Sequence, residues 1–144
     1  MPYRSAQLGK LYFVEWSPPV SPEELRRVVH DVEEARRISG LALTYVSTVP
    51  AQVNLPRPEE REALNLFARE LGALVESVLL VVTGSGLRIS ILRSVLTGMA
   101  LINRHGARMR VYSELDAALR QATLTVGKSV ETMRGELAAR GIAA

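Results

Sequence analysis

Cysteine is absent from this 144-residue sequence, which excludes a disulfide framework and thiolate chemistry and suits a reducing compartment. Long apolar runs are also absent, because none approaches the roughly 20 residues that a membrane-spanning helix needs. The first ten residues are polar and lack the apolar centre of a secretory signal. We therefore expect a cytoplasmic protein that does not associate with membranes.

Residues that commonly carry catalysis are scarce. The two histidines, His30 and His105, are far from metal-ligand spacing, and there is no cysteine to join them. Ser85 lies between glycines but lacks the Gly-x-Ser-x-Gly pattern of a hydrolase nucleophile. The sequence therefore predicts a non-enzymatic protein with no catalytic residue, no metal and no cofactor.

Acidic residues are missing between Glu76 and Glu114, where five arginines occur. Residues 1–80 hold 9 Lys/Arg and 11 Asp/Glu, whereas residues 81–144 hold 9 and 4. A segment of one sign attracts anionic ligands or acidic proteins, unless other segments supply the counter-charges. Tyr112 is the only aromatic residue in this interval, which disfavours a stacking surface for nucleic acid. Association with DNA through the arginines is a weaker, third alternative to the two binding functions considered below.

What is present predicts a globular α/β protein. Hydrophobic residues make up 47% of the chain, enough for one domain with a real core. A capping box at Ser21 and Glu24 opens the first helix, and Ser113 with Asp116 predicts a second capping box before the last core helix. The run "VLLVV" at 78–82 is apolar on successive residues, which is typical of a strand covered on both faces.

The predicted order is two strands in a hairpin, followed by helices alternating with three more strands and a final helix. This order predicts a mixed, mostly parallel sheet of about five strands with flanking helices. We expect this domain to occupy residues 1–126. A weakly patterned helical tail follows at 127–144, and it either docks on the domain or frays.

The order and two motifs, "WSPPVSPEELRRVV" and "VYSELDAAL", resemble the STAS family of sulfate transporter and anti-sigma factor antagonist domains. The resemblance implies a non-enzymatic regulatory or scaffold domain that binds a partner protein, often a kinase-like regulator. It also implies a phosphorylatable hydroxyl after the third strand, which corresponds here to Ser47 or Thr48 in "YVSTVPAQ". The Asp before and the Gly after the family's serine are missing, and both hydroxyls would otherwise bond local backbone groups.

The stretch "TGSGLRISILRSVLTGM" at 83–99 joins a strand to a helix through two glycines. It matches neither a Walker loop nor a dinucleotide fingerprint. One interpretation is a plain turn, with positive φ at Gly84 and Gly86 and a helix cap at Ser85. The other is a site for an anion or a partner at the helix start, formed by that turn with Arg88 and Arg93. Such a site would take a nucleotide, phosphate or acyl ligand, or a partner's carboxylate, and Arg88→Glu would weaken binding without disturbing the fold.

The third predicted helix, over 87–105, is apolar around most of its circumference. Gly98 in its interior costs roughly 1 kcal/mol relative to alanine, which is usually offset by the close approach of another backbone. The extra apolar surface predicts contact with the tail helix, a partner or a second copy in a homodimer. Tight packing on the protein's own sheet is the alternative.

Overall fold

The computed structural model describes residues 3–51, 53–102 and 108–142, which form one sheet and five helices. The strands are β1 (Tyr3–Leu8), β2 (Leu11–Trp16), β3 (Thr44–Val49), β4 (Ser77–Val82) and β5 (Arg108–Tyr112). The helices are α1 (Pro22–Ser39), α2 (Pro58–Leu74), α3 (Leu87–Ile102), α4 (Leu115–Val126) and α5 (Val130–Ala139).

The sheet has the strand order β1-β2-β3-β4-β5, which is also the order along the chain. β1 and β2 form an antiparallel hairpin in which Leu8 pairs with Leu11, and Gly9 turns the chain with a φ of 63°. The remaining neighbours are parallel. The α/β class and the mixed, mostly parallel five-stranded sheet predicted from the sequence are therefore confirmed.

Helices cover both faces of the sheet, and each face has its own core. Apolar side chains of α1, α2 and α3 pack on one face, and those of α4 and α5 pack on the other. Alternate residues of β4 divide between the two cores, because Leu79 and Val81 face α4 while Val78, Leu80 and Val82 face α1–α3. This explains the unbroken apolar run of β4 and confirms its predicted interior position.

The sequence signals for helix ends hold for α1 and fail for α4. The Ser21 hydroxyl accepts a hydrogen bond from the Glu24 N–H at 3.3 Å, the reciprocal bond is formed, and Gly40 ends the helix at a φ of 67°. The capping box predicted at Ser113 is wrong: Glu114 is the N-cap, with no side-chain cap bond. The Asp116 carboxylate pairs with Arg134 of α5.

The segment after α4 docks on the domain. Met133 and Leu137 of α5 are fully buried, and Ile142 is 3% exposed. All three belong to the core beneath α4, together with side chains of β1 and β2. Arg4 of β1 also donates a hydrogen bond to the carbonyl of Gly141 at 2.8 Å. Of the two outcomes considered for this segment, the structure therefore shows docking.

The buried tyrosines predict a loss of stability at alkaline pH. The Tyr3 hydroxyl donates a hydrogen bond to Asp31 at 3.0 Å, and burial together with this carboxylate raises the pKa of Tyr3 from 10.0 to about 12. Because the pKa of Tyr3 is higher in the folded state, the protonated hydroxyl contributes to the free energy of unfolding. This contribution is complete below pH 10 and is lost as the pH rises towards 12. We expect urea unfolding to show that the free energy of unfolding declines over this pH range, and that the decline is smaller in Tyr3→Phe. An identical decline in Tyr3→Phe would contradict the assignment.

Candidate functional site

The glycine turn between β4 and α3 lies at the carboxyl edge of the parallel strands, the edge at which open α/β sheets commonly bind ligands. Gly84 and Gly86 have φ values of 103° and 102°, which confirms the predicted positive φ at both positions. A Cβ atom at Gly84 would lie 3.3 Å from the Cβ of Ala51, so this glycine also permits the close approach of Ala51. Ser85 is exposed at the tip of the turn.

Arg88 lies beside this turn, but its guanidinium is engaged within the protein. It donates hydrogen bonds to the backbone carbonyls of Ala51 and Val53. Arg88 therefore ties the proline-rich segment after β3 to the first turn of α3. Arg88→Glu would remove these two hydrogen bonds and place a carboxylate near two carbonyl oxygens, so the variant tests the anchoring of this segment as well as ligand binding, and its effect on the fold stays a prediction.

Arg93 is engaged in a similar way one turn later. Its Nε and Nη2 donate to the carbonyl of Val82 at 3.0 and 2.7 Å, and Nη2 also donates to the carbonyl of Gly84 at 2.8 Å. The guanidinium thus satisfies the carbonyl groups at the end of β4. The structure brings together the five residues of the predicted anion site, but both arginines serve neutral backbone oxygens. Anion or partner binding at this turn stays a prediction.

The two predicted phosphorylation sites lie near the end of β3. Ser47 has no exposed surface and Thr48 is half-buried. A phosphoryl group would bring a charge of about −1.5 to −2 into the packed side of the sheet. Modification of Ser47 therefore requires that the end of β3 first separate from the helices above it. It stays a prediction, as does modification of Thr48.

Ser47 lines a cavity of about 130 Å³ between the sheet and the helices α1, α2 and α3. The walls are almost entirely apolar and include Phe67 and Ala68 of α2 and Leu96 of α3. Val53 and Pro56, from the segment that Arg88 holds, also line the cavity. The cavity therefore lies beside the glycine turn, at the same edge of the sheet.

Two buried hydroxyl groups on β3 lack hydrogen-bond partners. Tyr45 and Ser47 are two residues apart and face the same side of the sheet, and neither hydroxyl has a partner with normal geometry. Burial raises the pKa of Tyr45 strongly, while the nearby Ser47 and Trp16 side chains act in the opposite direction. The two hydroxyls are therefore close enough to interact, although neither meets the geometry of a normal hydrogen bond. Buried polar groups without partners cost about 1–3 kcal/mol each.

The outer face of α3 is a second candidate surface. Leu87, Ile91 and Leu101 are 79%, 40% and 71% exposed. Their positions, with Ser94 and Gly98 between them, follow the three- and four-residue spacing of a single helix face. We call these five residues the α3 face. Leu87 and Ile91 were part of the apolar pattern predicted for the third helix, whereas Leu101 was not.

The cavity was not part of that prediction, because its walls come from seven strands and helices whose packing the sequence does not specify. One signal was available: two hydroxyl residues, Tyr45 and Ser47, alternate along β3 and so share one face of the strand. Arg104 and His105, which belonged to the predicted basic segment, lie outside the described residues. His30 is exposed on α1.

No group of three His, Cys, Asp or Glu side chains within residues 3–51, 53–102 and 108–142 could hold a metal ion. In the same part of the chain, none of the helices is sufficiently long and apolar to cross a membrane. Comparison with known proteins gives no match among protein-family models, curated proteins or solved structures.

Proposed function

We propose that this chain is a non-enzymatic regulatory or scaffold domain that binds another protein through the α3 face. The observation that carries the proposal is the row of exposed leucine and isoleucine side chains on this helix. Exposed apolar patches on a folded domain commonly mark interaction surfaces. Among the described residues, each of the helices α1, α2 and α4 has a single exposed large apolar side chain: Ile38, Leu66 and Leu124, respectively.

Gly98 supports this proposal. A Cβ atom at Gly98 would have no neighbour within 4 Å among the described residues, so packing on the protein's own sheet does not account for this glycine. Ser94, another small residue, precedes it by about one turn on the same helix face. A small residue with open space above it allows a second helix to approach closely. The helix face is therefore suited to an apolar helix from a partner.

The charge distribution also favours an apolar partner. The charged residues within α3 are Arg88 and Arg93, and both guanidinium groups bond to backbone carbonyls. The α3 face thus presents no charge of its own that a partner would have to match. A neutral apolar face suits a regulator with an exposed helix, and it equally permits a second copy of this chain. The resemblance to STAS domains supports the first of these, a kinase-like regulator.

Leu87→Glu tests the proposal, with Leu124→Glu as the matched control. The two leucines are 79% and 76% exposed, so each substitution should leave the fold intact, but only Leu87 lies on the α3 face. We expect Leu87→Glu to weaken partner binding about tenfold or more, because a charge would be buried in an apolar contact. Leu124→Glu should bind like the unsubstituted protein.

The measurement has two parts. Sedimentation velocity of the three proteins over a range of concentrations tests for a homodimer. Quantitative affinity capture from the cells that make the protein tests for another partner, which should be recovered by the unsubstituted protein and Leu124→Glu but lost with Leu87→Glu. If self-association and every captured protein were unchanged in Leu87→Glu, the α3 face would not be the binding surface.

A further inference from the structure

Going beyond the proposed function, we propose that the cavity beneath α2 binds a small, neutral and mostly apolar molecule whose single oxygen hydrogen-bonds to Ser47. The site would be separate from the α3 face, because it is formed by the inner sides of the helices and by the sheet. Its ligand class is a ring or short chain of about six carbons that carries one hydroxyl or carbonyl group.

The size of the cavity sets the size of the ligand. Its volume of about 130 Å³ is close to that of an engineered protein cavity of roughly 150 Å³, which binds benzene. Apolar cavities in proteins are usually much smaller, since interiors are packed as densely as organic crystals. The walls from Leu25, Phe67 and Leu96 offer dispersion contacts to hydrocarbon on several sides.

The Ser47 hydroxyl selects for an oxygen on the ligand. This side chain lines the cavity and has no exposed surface, and its only polar neighbour of note among the described residues, the Tyr45 hydroxyl, does not reach normal hydrogen-bond geometry. A ligand hydroxyl or carbonyl would satisfy it and remove the cost of leaving a buried polar group unpaired. The other buried polar residue of β3, Thr44, faces the opposite side of the sheet and already bonds to Thr125 at 2.6 Å. The unpaired hydroxyl is thus a feature of the cavity side of the strand.

The absence of cations makes the ligand neutral. No Lys, Arg or His is found among the described residues that line the cavity, and the charged residue there is Glu60. Its carboxylate accepts hydrogen bonds from the backbone N–H and the guanidinium of Arg57. Because this half-exposed carboxylate is already paired with Arg57, the described lining of the cavity offers no free counter-ion, and a carboxylate or phosphate inside it would be desolvated among apolar side chains.

The experiment compares phenol with benzene, which lacks the oxygen, and with benzoate, which is charged. We expect phenol to bind the full chain at one saturable site, benzene to bind about tenfold more weakly, and benzoate not to bind. Ser47→Ala should weaken the binding of phenol about tenfold and leave the binding of benzene unchanged. Thr44→Val, the control on the other side of the same strand, should change neither affinity. Titration calorimetry and methyl NMR shifts would measure these affinities and locate the ligand.

Ala68→Leu would fill the cavity and should abolish binding of both phenol and benzene. Should this variant fail to fold, the NMR shifts of the unsubstituted protein decide the location, since they must fall on residues of α2, α3 and β3 that line the cavity. The proposal is overturned if phenol does not bind the folded protein. It is also overturned if Ser47→Ala binds phenol like the unsubstituted protein, or if the shifts lie elsewhere. These results do not depend on the α3 face.

Discussion

Deleting residues 128–144 is expected to lower the free energy of unfolding by about 5 kcal/mol or more, enough to leave much of the shortened chain unfolded. Three side chains in this segment, Met133, Leu137 and Ile142, are almost completely buried. Each contributes about 1.5–3 kcal/mol through burial, and the total is comparable with the whole stability of a typical domain, about 5–15 kcal/mol. The deletion also uncovers apolar residues of β1 and β2. Urea unfolding followed by circular dichroism would measure the effect.

Two point variants separate the contribution of the buried side chains from that of the surface. Leu137→Ala removes a fully buried side chain and should cost about 2–5 kcal/mol. Arg134→Ala removes the half-exposed ion pair with Asp116 and should cost less than about 1 kcal/mol. A deletion variant as stable as the full chain would show that residues 1–127 form a domain without this helix.

Replacing Arg93 by alanine is expected to lower the free energy of unfolding by about 2–3 kcal/mol. The side chain makes three hydrogen bonds to the carbonyl groups of Val82 and Gly84, and bonds with a charged donor are worth more than neutral ones. Alanine itself is favoured in helices, so the loss would come from the unpaired carbonyls. The stability of Arg93→Lys should fall between that of the unsubstituted protein and that of Arg93→Ala, because an ammonium group cannot reproduce the geometry of the guanidinium. Equilibrium urea unfolding of the three proteins checks this order.

Arg120→Ala is the matched control, since Arg120 is an exposed arginine in the middle of α4. It should change stability by less than about 0.5 kcal/mol. A titration with inorganic phosphate distinguishes the two interpretations of the glycine turn. If Arg93→Ala and Arg120→Ala were equally stable and only Arg93→Ala lost phosphate binding, Arg93 would be an anion ligand and not a support for β4.

The sequence was sufficient to predict the fold because its strongest signals are local. The capping box at Ser21 and the stop at Gly40 define α1 almost to the residue. The unbroken apolar run in β4 indicated burial on both faces, since a strand with one solvated face would alternate. The positive φ of Gly84 and Gly86 followed from their position in a strand-to-helix turn.

The candidate site was harder to predict because its features depend on partners distant in sequence. Arg88 was expected to face a ligand, but the carbonyls that it contacts belong to residues 35 and 37 positions earlier. Asp116 was expected to belong to a cap, but its partner Arg134 lies on the next helix. Neither the cavity volume nor the environment of the Ser47 hydroxyl can be read from residue types, because both depend on how seven strands and helices pack together.

The sequential strand order has a consequence for folding during synthesis on the ribosome. Each new strand can pair with the strand made just before it, so the sheet and its cover of α1–α3 can form while synthesis proceeds. The opposite face, including Leu11, Phe13 and Val46, stays bare until α4 and α5 emerge. The nascent chain therefore carries an apolar sheet surface until α4 and α5 are made. During this interval, chaperones or other nascent chains have access to a surface that the finished protein conceals.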